Sequence, residues 1–515
     1  MSAARPHRQD VILIDVDPDA GPDAGPHLAP DPAAARARAT AQAQAATTRA
    51  RRRLRRSAPF AAVLVLALAV VAVEADHRAG VRLAALAAVP GMLAPLDGPV
   101  AELWRSEEGQ FSDLAQVAGR LVGVKHGLDG SVDVVAFAPD SGAVAWRLAV
   151  QPPGARTTLG ACAWPDAPDA SVPSAPTLAD CLLVTGTALF ASSAGASPDV
   201  VEDPSSARLL VVDTAAGTVV SERPVDPSTS IASLGSDLIT CTLTPDRHAH
   251  VTRTDATGAV QRWSFTSPAP LPMGRFGRTE ARVSVADGLI VVNGVRGWVL
   301  GADGAVVRSW SSDPTVWDGG RVAVINRGQL LVERGTTAAG GAGSTVVDIA
   351  TEHSFTENGY AIGPDPNDGS LGNLVLAQAA NGPGLVAYEG SSGVTRWTTT
   401  TSAAGGDLTL GALLVIDGRV VRAEGDRLRA IDGRTGATLW STPVPRPSLS
   451  SLFSDGQVVL RIQADATEGL VLAAYGLDDG GLAWRAPLPD DSTLAVVAGR
   501  LYATSAQGIV ALGRA

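Results

Sequence analysis

One short pattern recurs along most of the chain: a strand, a tight turn, and a second strand that ends on tryptophan. The best-preserved copy reads Ala430-Ile431-Asp432-Gly433-Arg434-Thr435-Gly436-Ala437-Thr438-Leu439-Trp440. Asp or Thr at the start of a turn accepts backbone N–H bonds and glycine takes positive φ, so this composition favours a β-hairpin. The tryptophan ring is large enough to fill the gap between adjacent sheets, and its N–H needs a partner.

The spacing of the copies predicts the architecture. Turn glycines at positions 217, 258, 304, 393, 436 and 480 are separated by 41, 46, 89, 43 and 44 residues. A degenerate copy at residues 347–352 falls inside the double interval. A period of about 40–45 residues with four short strands per unit is typical of propeller blades. We therefore predict an all-β propeller with four antiparallel strands in each blade.

The sequence predicts the number of blades less directly than it predicts the fold. Eight units end near Trp146, Ser221, Trp263, Trp310, Phe355, Trp397, Trp440 and Trp484. Strands left over at residues 494–497, 500–504 and 509–512 could join residues 100–104 in a blade shared by both termini, which would make nine. We predict eight blades within a range of seven to nine, with one unit being a hairpin insertion inside residues 311–360.

The pattern A-x-D-x-x-T-G-x-x-x-W, matched at Ala430, Asp432, Thr435, Gly436 and Trp440, resembles the pyrroloquinoline-quinone-like (PQQ-like) repeat. Families with this repeat include quinoprotein alcohol dehydrogenases and BamB-type lipoproteins that scaffold outer-membrane barrel assembly. The resemblance covers roughly residues 98–515 and implies eight blades. The form that the chain resembles is membrane-anchored and of the actinobacterial type. In it, Asp432, Gly436, Trp440, Trp397, Trp484 and Trp146 are structural residues that close turns and wedge neighbouring blades together.

The N-terminal region predicts a membrane anchor. Residues 1–56 are polar, low in complexity and arginine-rich just before residue 57, which indicates a disordered cytoplasmic tail. Residues 58–73 are 16 uncharged residues, close to the ~17 that span a bilayer core. Because arginine stays on the cytoplasmic side, we expect a single-pass signal anchor at residues 57–75 in the cytoplasmic membrane. An extended linker at 76–97 then leads to an extracytoplasmic propeller at 98–515.

A cleavable signal peptide is the competing interpretation of the same segment. Val73-Glu74-Ala75 places small residues at tolerable cleavage positions. The region ahead of the apolar run is 57 residues long, which is unusual for a secretory signal. We therefore favour an uncleaved anchor.

Charge and cysteine usage limit the function classes. Residues 1–56 carry 10 Arg and 6 Asp, whereas the rest carries 31 basic and 46 acidic residues. An acidic domain disfavours nucleic acid as a partner, because binding to phosphate requires basic patches. Cys162 and Cys181 flank a Pro-rich segment at 163–180, and outside the membrane they are candidate disulfide partners.

Candidate catalytic and metal-binding residues are few. The resemblance to quinoprotein dehydrogenases implies a vicinal cysteine pair, an Asp base and Glu and Asn ligands for calcium, and the chain has no Cys-Cys pair. His248 and His250 alternate along one expected strand and would need a third ligand to hold a metal. We assign no catalytic, cofactor-binding or metal residue, expect no PQQ, and identify no small-molecule substrate.

Three functions remain open at this point. The first is a non-catalytic binding or scaffold module whose ring faces and segments 163–180 and 199–207 contact an envelope protein or polymer. The second is a PQQ- or metal-dependent oxidoreductase, and the third is an envelope sensor that acts through a partner. We predict the first, because the repeat is specific for architecture and provides no catalytic set.

Overall fold

The computed structural model describes most of the chain beyond residue 72. The described residues are 73–74, 77–107, 109–127, 129–154, 157–165, 178–189, 200–273, 279–311, 322–325, 328–336, 342–379, 384–399, 413–424, 426–445 and 451–514. The expected tail at 1–56 and nearly all of the expected anchor at 57–75 lie outside them. Within the described residues, no helix is long and apolar enough to cross a membrane.

The chain divides into two compact units, residues 1–80 and 81–515. In the first unit, residues 73, 74 and 77–80 are helical, and Arg78 Nε lies 3.0 Å from Glu74 Oε1. The second unit begins with helical residues 81–87 and continues with β-strands. Its start therefore precedes the propeller boundary that we expected at residue 98.

The described strands of the second unit follow one another as a series of short antiparallel pairs. They are β1 (Val100–Ser106), β2 (Phe111–Val117), β3 (Arg120–His126), β4 (Val132–Phe137), β5 (Val144–Gln151), β6 (Thr157–Ala163), β7 (Leu178–Leu189), β8 (Val200–Asp213), β9 (Thr218–Val225), β10 (Ser230–Leu234), β11 (Asp237–Leu243), β12 (Ala249–Asp255), β13 (Gln261–Thr266), β14 (Arg282–Ala286), β15 (Leu289–Asn293), β16 (Arg296–Leu300), β17 (Val306–Ser311) and β18 (Val322–Ile325). The remainder are β19 (Leu330–Thr336), β20 (Ala342–Asp348), β21 (Ser354–Ile362), β22 (Leu374–Ala379), β23 (Leu385–Glu389), β24 (Thr395–Thr399), β25 (Leu413–Ile416), β26 (Arg419–Glu424), β27 (Arg427–Asp432), β28 (Thr438–Pro443), β29 (Leu452–Ser454), β30 (Val458–Asp465), β31 (Gly469–Gly476), β32 (Leu482–Pro487), β33 (Thr493–Val497), β34 (Arg500–Ser505) and β35 (Gly508–Arg514).

Across the described residues these strands form nine propeller blades. Blade 1 is β33, β34, β35 and, outermost, β1; blades 2 to 5 are β2–β5, β6–β9, β10–β13 and β14–β17. Blade 6 is β18–β21, blade 7 is β21–β24, blade 8 is β25–β28 and blade 9 is β29–β32. The prediction of a propeller with four-stranded blades is confirmed. The predicted count of eight is wrong, because the blade shared by both chain ends exists in addition to all eight repeat units.

The segment expected to contain a hairpin insertion is a full blade. Within residues 311–360, β18, β19 and β20 pair in order, and β20 pairs with the first half of β21. The second half of β21 becomes the innermost strand of blade 7 and pairs with β22. Gly359, with φ of +144°, lies where the strand passes from blade 6 to blade 7. Because one strand belongs to both blades, the sequence shows no boundary between their units.

The core lies between the blades. In the described part of the chain, each of the nine neighbouring blade pairs shares one cluster of buried apolar side chains. Such a closed series of interfaces removes the long open edges of a linear array. The register that closes it runs from the pair Val100 and Arg514 to the pair Ser106 and Ile509.

Two expectations about connections are also wrong. Residues 76–97 were expected to be an extended linker, but residues 81–87 are helical and the chain extends only after Met92. Residues 199–207 were expected to be a contact loop, whereas strand β8 begins at Val200. The Ala- and Leu-rich run around residue 84 has a high propensity for helix, and the prolines of this segment all lie after the helix ends.

Candidate functional site

The turn of the best-preserved repeat is closed by the Asp432 carboxylate. Its Oδ1 accepts hydrogen bonds from the backbone N–H groups of Arg434 (3.0 Å) and Thr435 (2.8 Å) and from the Thr435 hydroxyl (2.9 Å). The bonds from Thr435 and Arg434 hold the pKa of Asp432 below its ordinary value. This carboxylate therefore stays ionised as part of the turn.

The repeat tryptophan joins its blade to the turn of the next blade. Trp440 Nε1 donates to the Leu477 carbonyl (2.9 Å), and a Cβ on Gly480 would lie 2.4 Å from the Trp440 ring. Trp397 makes the same joint with Gly433 and Gly436 of blade 8. Glycine is thus needed in this turn for two reasons. Its backbone has positive φ, and a side chain at this position would clash with the tryptophan ring.

The other repeat positions show how this joint varies. Trp146 donates to the Thr214 carbonyl (3.0 Å) and packs on Gly217. Trp484 faces blade 1, whose two outer strands come from opposite chain ends and have no connecting turn, and it packs instead in the apolar cluster between blades 9 and 1. Blade 3 has Ser221 in place of tryptophan, and the Arg223 guanidinium covers the Gly258 turn.

The two cysteines proposed as partners form a disulfide, which confirms that prediction. Cys162 lies in β6 and Cys181 lies directly opposite it in β7. Residues 166–177 between these strands lie outside the described part of the chain. The buried Cys241 thiol has its pKa raised to about 12 by burial, so it is not a reactive nucleophile.

Residues 81–99, which we call the strap, run across one end of blades 8, 9 and 1. Leu86 and Met92 belong to the apolar cluster between blades 8 and 9, and Leu93 belongs to the cluster between blades 9 and 1. A Cβ on Gly456 would lie 2.7 Å from Leu86, so the helical part of the strap sits directly on the turn between β29 and β30.

Hydrogen bonds hold the extended part of the strap. Leu93 N–H donates to the Ser454 carbonyl (2.9 Å) and Ala94 N–H donates to the Gly499 carbonyl (2.8 Å). Leu96 N–H donates to Oδ2 of Asp455, a buried carboxylate whose Oδ1 also closes its own turn. The strap is therefore an integral part of the propeller and not a flexible lead.

Ion pairs lie along the outer edge of the strap. Arg82 reaches Asp417 of blade 8 (3.3 Å), and Asp417 also pairs with Arg419 (2.8 Å), which in turn reaches Asp478 of blade 9 (2.7 Å). These groups are partly exposed, so the pairs add orientation more than stability.

The strap defines the two faces of the ring. Its partners lie in the turns between the first and second strands of blades 8, 9 and 1, and in an antiparallel blade the turn between the third and fourth strands lies at the same end. We call this end the strap face. The opposite end, with the turns between second and third strands and the connections between blades, is the loop face.

A loop of blade 7 adds to the inner edge of blade 8. Asn367 pairs in parallel with Val415 of β25, and Asp368 N–H donates to the Val415 carbonyl (3.1 Å). Val415 N–H donates to the Pro366 carbonyl (3.0 Å). This pairing explains why β25 is buried throughout, whereas the innermost strand β10 of blade 4 is partly exposed.

Buried charged side chains, which the sequence interpretation missed, lie between blades 7, 8 and 9. Arg422 in β26 and Arg461 in β30 occupy the same repeat position and face the preceding blade. Burial lowers the pKa of both guanidinium groups. An arginine within an otherwise apolar strand, as in Val420-Val421-Arg422-Ala423, is a signal that could have found them.

Other polar groups lie beside the two guanidinium groups, and Glu424 acts electrostatically on Arg422. Glu424 lies 3.4 Å from Arg429 Nη2, and burial raises the pKa of this carboxyl against the opposing effect of Arg429. Beside Arg461, Gln463 Nε2 donates to the Tyr475 hydroxyl (2.6 Å).

A ring of exposed aliphatic side chains, which we call the aliphatic rim, follows the strap face. Each member lies one to four residues before one of the eight repeat positions or, in blade 1, before Trp104, and it is either among the first four residues of an outermost strand or directly before that strand. Eight of the nine blades contribute, and the side chains are between 38 % and 58 % exposed. They are Leu103, Val144, Val219, Val220, Val260, Val306, Val307, Val394, Leu439 and Leu482.

The histidine pair considered as a metal site is engaged in local contacts. His248 Nδ1 lies 2.6 Å from the Ser267 carbonyl, and His250 Nδ1 lies 2.9 Å from the Thr266 hydroxyl. No group of three metal-ligating side chains occurs among the residues that the structure describes.

Known proteins resemble this chain in part. A family model described as outer membrane protein assembly factor BamB matches residues 349–515. No curated protein sequence matches the chain significantly.

Several solved structures resemble the chain at low sequence identity. BamB from Moraxella catarrhalis has 16 % identity and covers 81 % of this chain and 100 % of its own, with a TM-score of 0.41. The computationally designed Ika8 protein has 11 % identity, 80 % and 99 % coverage and a TM-score of 0.41. Sqt1 from Saccharomyces cerevisiae has 8 % identity, 80 % and 98 % coverage and a TM-score of 0.38.

Proposed function

We propose that this protein is a membrane-anchored β-propeller that acts outside the cytoplasm as a non-catalytic protein-binding scaffold of the cell envelope. In this proposal the apolar run at 58–73 is the anchor and residues 1–56 stay in the cytoplasm. The partner is an envelope protein, bound on a face of the ring.

The observation that carries the proposal is the strap. The chain from residue 81 onward is fixed to blades 8, 9 and 1 by Leu86, Met92 and Leu93 and by the Asp455 carboxylate. A propeller whose leading segment is built into its own core is suited to the role of a rigid scaffold.

The match to the BamB family model supports binding of a protein partner. That model is described as an outer membrane assembly factor, and it matches the part of the chain that builds blades 7 to 9 and most of blade 1. Its residues include the joints of Trp397 and Trp440 and the buried arginines, so the resemblance extends to the part of the ring beneath the strap.

Topology is the first test of this proposal. Single cysteines replace exposed Ser392 in a propeller turn, or Ala45 in the tail, and intact cells are treated with a membrane-impermeant maleimide. We expect labelling of Ser392→Cys in intact cells and labelling of Ala45→Cys only after lysis. Labelling of the tail in intact cells, or release of the propeller without the tail, would contradict the anchored topology.

The non-catalytic part of the proposal has its own test. Purified full-length protein is heated with and without PQQ and calcium, and its melting temperature and dye reduction with alcohols and sugars are recorded. We expect neither a shift nor reduction. A saturable shift together with turnover would assign the protein to the oxidoreductases instead.

A further inference from the structure

We propose that the strap-face end of the interface between blades 3 and 4 is a pH-dependent conformational switch, which is closed while Asp180 is protonated and opens to water when this carboxyl group ionises. The switch concerns the ring alone and does not depend on the proposed anchor or partner. This interface differs from the others of the ring in its joint, in its apolar core and in its buried polar groups.

The first difference is the joint between the two blades. After blades 2, 7 and 8, the repeat tryptophan donates to a carbonyl of the next turn and packs on the turn glycine. Blade 3 has Ser221 at this position, and the turn of blade 4 is covered by Arg223, whose Nη2 lies 3.2 Å from a Cβ built on Gly258. Among the described residues, no hydrogen bond joins β9 to this turn, so the two blades lack the polar link of a tryptophan joint.

The second difference is the size of the apolar core. The cluster between blades 3 and 4 has four buried members, Leu182, Ala207, Leu209 and Leu238, whereas the cluster between blades 2 and 3 has eleven. In the described part of the chain, the cluster between blades 5 and 6 also has four, but Trp310 packs against it. Fewer apolar side chains are therefore available to hold blades 3 and 4 together.

The third difference is a pair of buried polar side chains at the strap-face end of the interface. Asp180 lies two residues before Leu182 in β7, and Thr254 lies opposite Leu238 in the register of β12 with β11, so both are on the sides of their blades that build this interface. Asp180 is 4 % exposed and Thr254 is 8 % exposed, and neither Asp180 Oδ1 nor Thr254 Oγ1 has a hydrogen-bond partner. Water that enters on opening can bond to both atoms, which lowers the cost of opening.

The charge of Asp180 couples this opening to pH. Burial raises the pKa of Asp180 to about 7, while Arg223 on β9 opposes the rise and Asp255 in the turn of blade 4 adds to it. In the open interface the carboxyl group is hydrated and returns to its ordinary pKa of 3.8. The closed state is therefore fully favoured below about pH 4, loses about a factor of ten against the open state for each pH unit up to about 7, and changes little above that.

The other charged groups at this end of the interface are engaged within their own blades. Asp237 Oδ2 lies 2.8 Å from Arg253 Nη2 and 3.5 Å from Arg262 Nε, and Asp213 accepts from two N–H groups of its own turn. Strands β6 and β10 contain no charged residue, and His250 lies at the loop-face end of β12. Asp180 is therefore the carboxyl group of this end whose ionisation bears on the contact between the two blades.

Hydrogen exchange of full-length protein in detergent, measured between pH 4 and pH 8, tests the switch. Asp180→Asn keeps the shape of the protonated group and cannot ionise, and Glu222→Gln, which removes a half-exposed carboxylate from β9, is the matched control. The rates of two proteins are compared at the same pH, so that intrinsic exchange cancels and their ratio reports opening.

We expect peptides from the start of β7 and from residues 255–260 to exchange increasingly faster in the wild type than in Asp180→Asn, by up to about tenfold for each pH unit between 4 and 7. The ratio should stay constant above pH 7, and Glu222→Gln should follow the wild type. Arg223→Gln, compared with the double variant that also carries Asp180→Asn, should level off at a higher pH, because the guanidinium favours the ionised carboxyl group.

Two outcomes would overturn the switch. One is equal exchange in the wild type and Asp180→Asn across the pH range. The other is a ratio that changes with pH in the same way in peptides of blades 9 and 1, which would show a global effect and no local opening. If Asp180→Asn does not fold, the wild type alone decides, because exchange at β7 and residues 255–260, corrected for intrinsic rates, then has to gain on that of blades 9 and 1 between pH 4 and pH 7.

Discussion

At the scale of single residues, the repeat tryptophan is the main joint of the ring. Trp440 is nearly buried, and it combines a packed ring with one hydrogen bond to the Leu477 carbonyl. The same residue type at position 484 has no turn to join. Trp484 therefore serves as a control for Trp440, because it has the same ring in the same repeat position without the hydrogen bond to a turn.

Replacing Trp440 with phenylalanine should remove the hydrogen bond and leave the carbonyl without its donor. We expect a loss of about 1–3 kcal/mol in the free energy of unfolding. Trp484→Phe should lose less, because no turn carbonyl accepts from it in the described structure. Urea unfolding followed by tryptophan emission measures both, and equal losses would show that the joint depends only on apolar area.

A buried carboxyl group makes the stability depend on pH. Glu357, in β21 between blades 6 and 7, has its pKa raised to about 8 by burial, with a smaller opposing effect from Ser344. The folded state therefore binds a proton more tightly than the unfolded chain, whose value lies near 4.5. The resulting stability is complete below the unfolded pKa and is lost as the pH rises through about 8.

Glu357→Gln should abolish this dependence. We expect the wild type to lose roughly 2–4 kcal/mol between acidic pH and pH above the folded pKa, and the variant to lose much less over the same range. Exposed Glu352→Gln in the same blade is the control. Unfolding curves across the pH range measure the difference, and parallel wild-type and Glu357→Gln profiles would contradict the burial argument.

At the scale of elements, the turn between third and fourth strands has two separate requirements for glycine. Gly480 has φ of +66°, and a Cβ there would lie 2.4 Å from Trp440. Gly119 also has positive φ, +72°, but a Cβ there would meet nothing within 4 Å. Substituting alanine at each glycine therefore separates the loss of stability caused by backbone strain from the loss caused by a clash with the indole ring.

Gly119→Ala should lose about 1–2 kcal/mol from its left-handed backbone alone. Gly480→Ala should lose clearly more, since the ring of Trp440 must move as well. Thermal unfolding measures both variants. A Gly480→Ala variant as stable as Gly119→Ala would mean that the indole adjusts without loss.

The elements also show what the sequence could and could not predict. Each of the eight predicted unit ends corresponds to an outermost strand, because a local turn and tryptophan pattern specifies a hairpin. The ninth blade has no such pattern, since β35 and β1 pair across the whole chain. The strap and Arg461 were missed for a similar reason: their burial depends on contacts distant in sequence.

At the scale of the whole molecule, the strap and blade 1 close the ring together. A variant that begins at Val81 should keep the stability of the propeller, because the second unit starts there. A variant that begins at Gly98 should lose on the order of 5 kcal/mol, because Leu86, Met92 and Leu93 leave gaps in two blade interfaces.

Hydrogen exchange and urea unfolding of the two truncated proteins measure this difference. We expect faster exchange in blades 8, 9 and 1 when the strap is absent and unchanged exchange in blades 3 to 5. Arg82→Ala in the longer variant is the control, since its ion pair with Asp417 is exposed and should contribute less than about 1 kcal/mol. Equal stability of both truncations would show that the strap is not part of the fold.

The pairing of β1 with β35 has a consequence for biosynthesis. Strand β1 is among the first propeller residues to leave the ribosome, and its partner is among the last. Until β35 has been synthesised, β1 is an unpaired strand edge and the apolar cluster between blades 9 and 1 has only part of its members. The growing chain therefore has to be kept from aggregating at this seam, and translation that stops before β35 leaves a ring that cannot close.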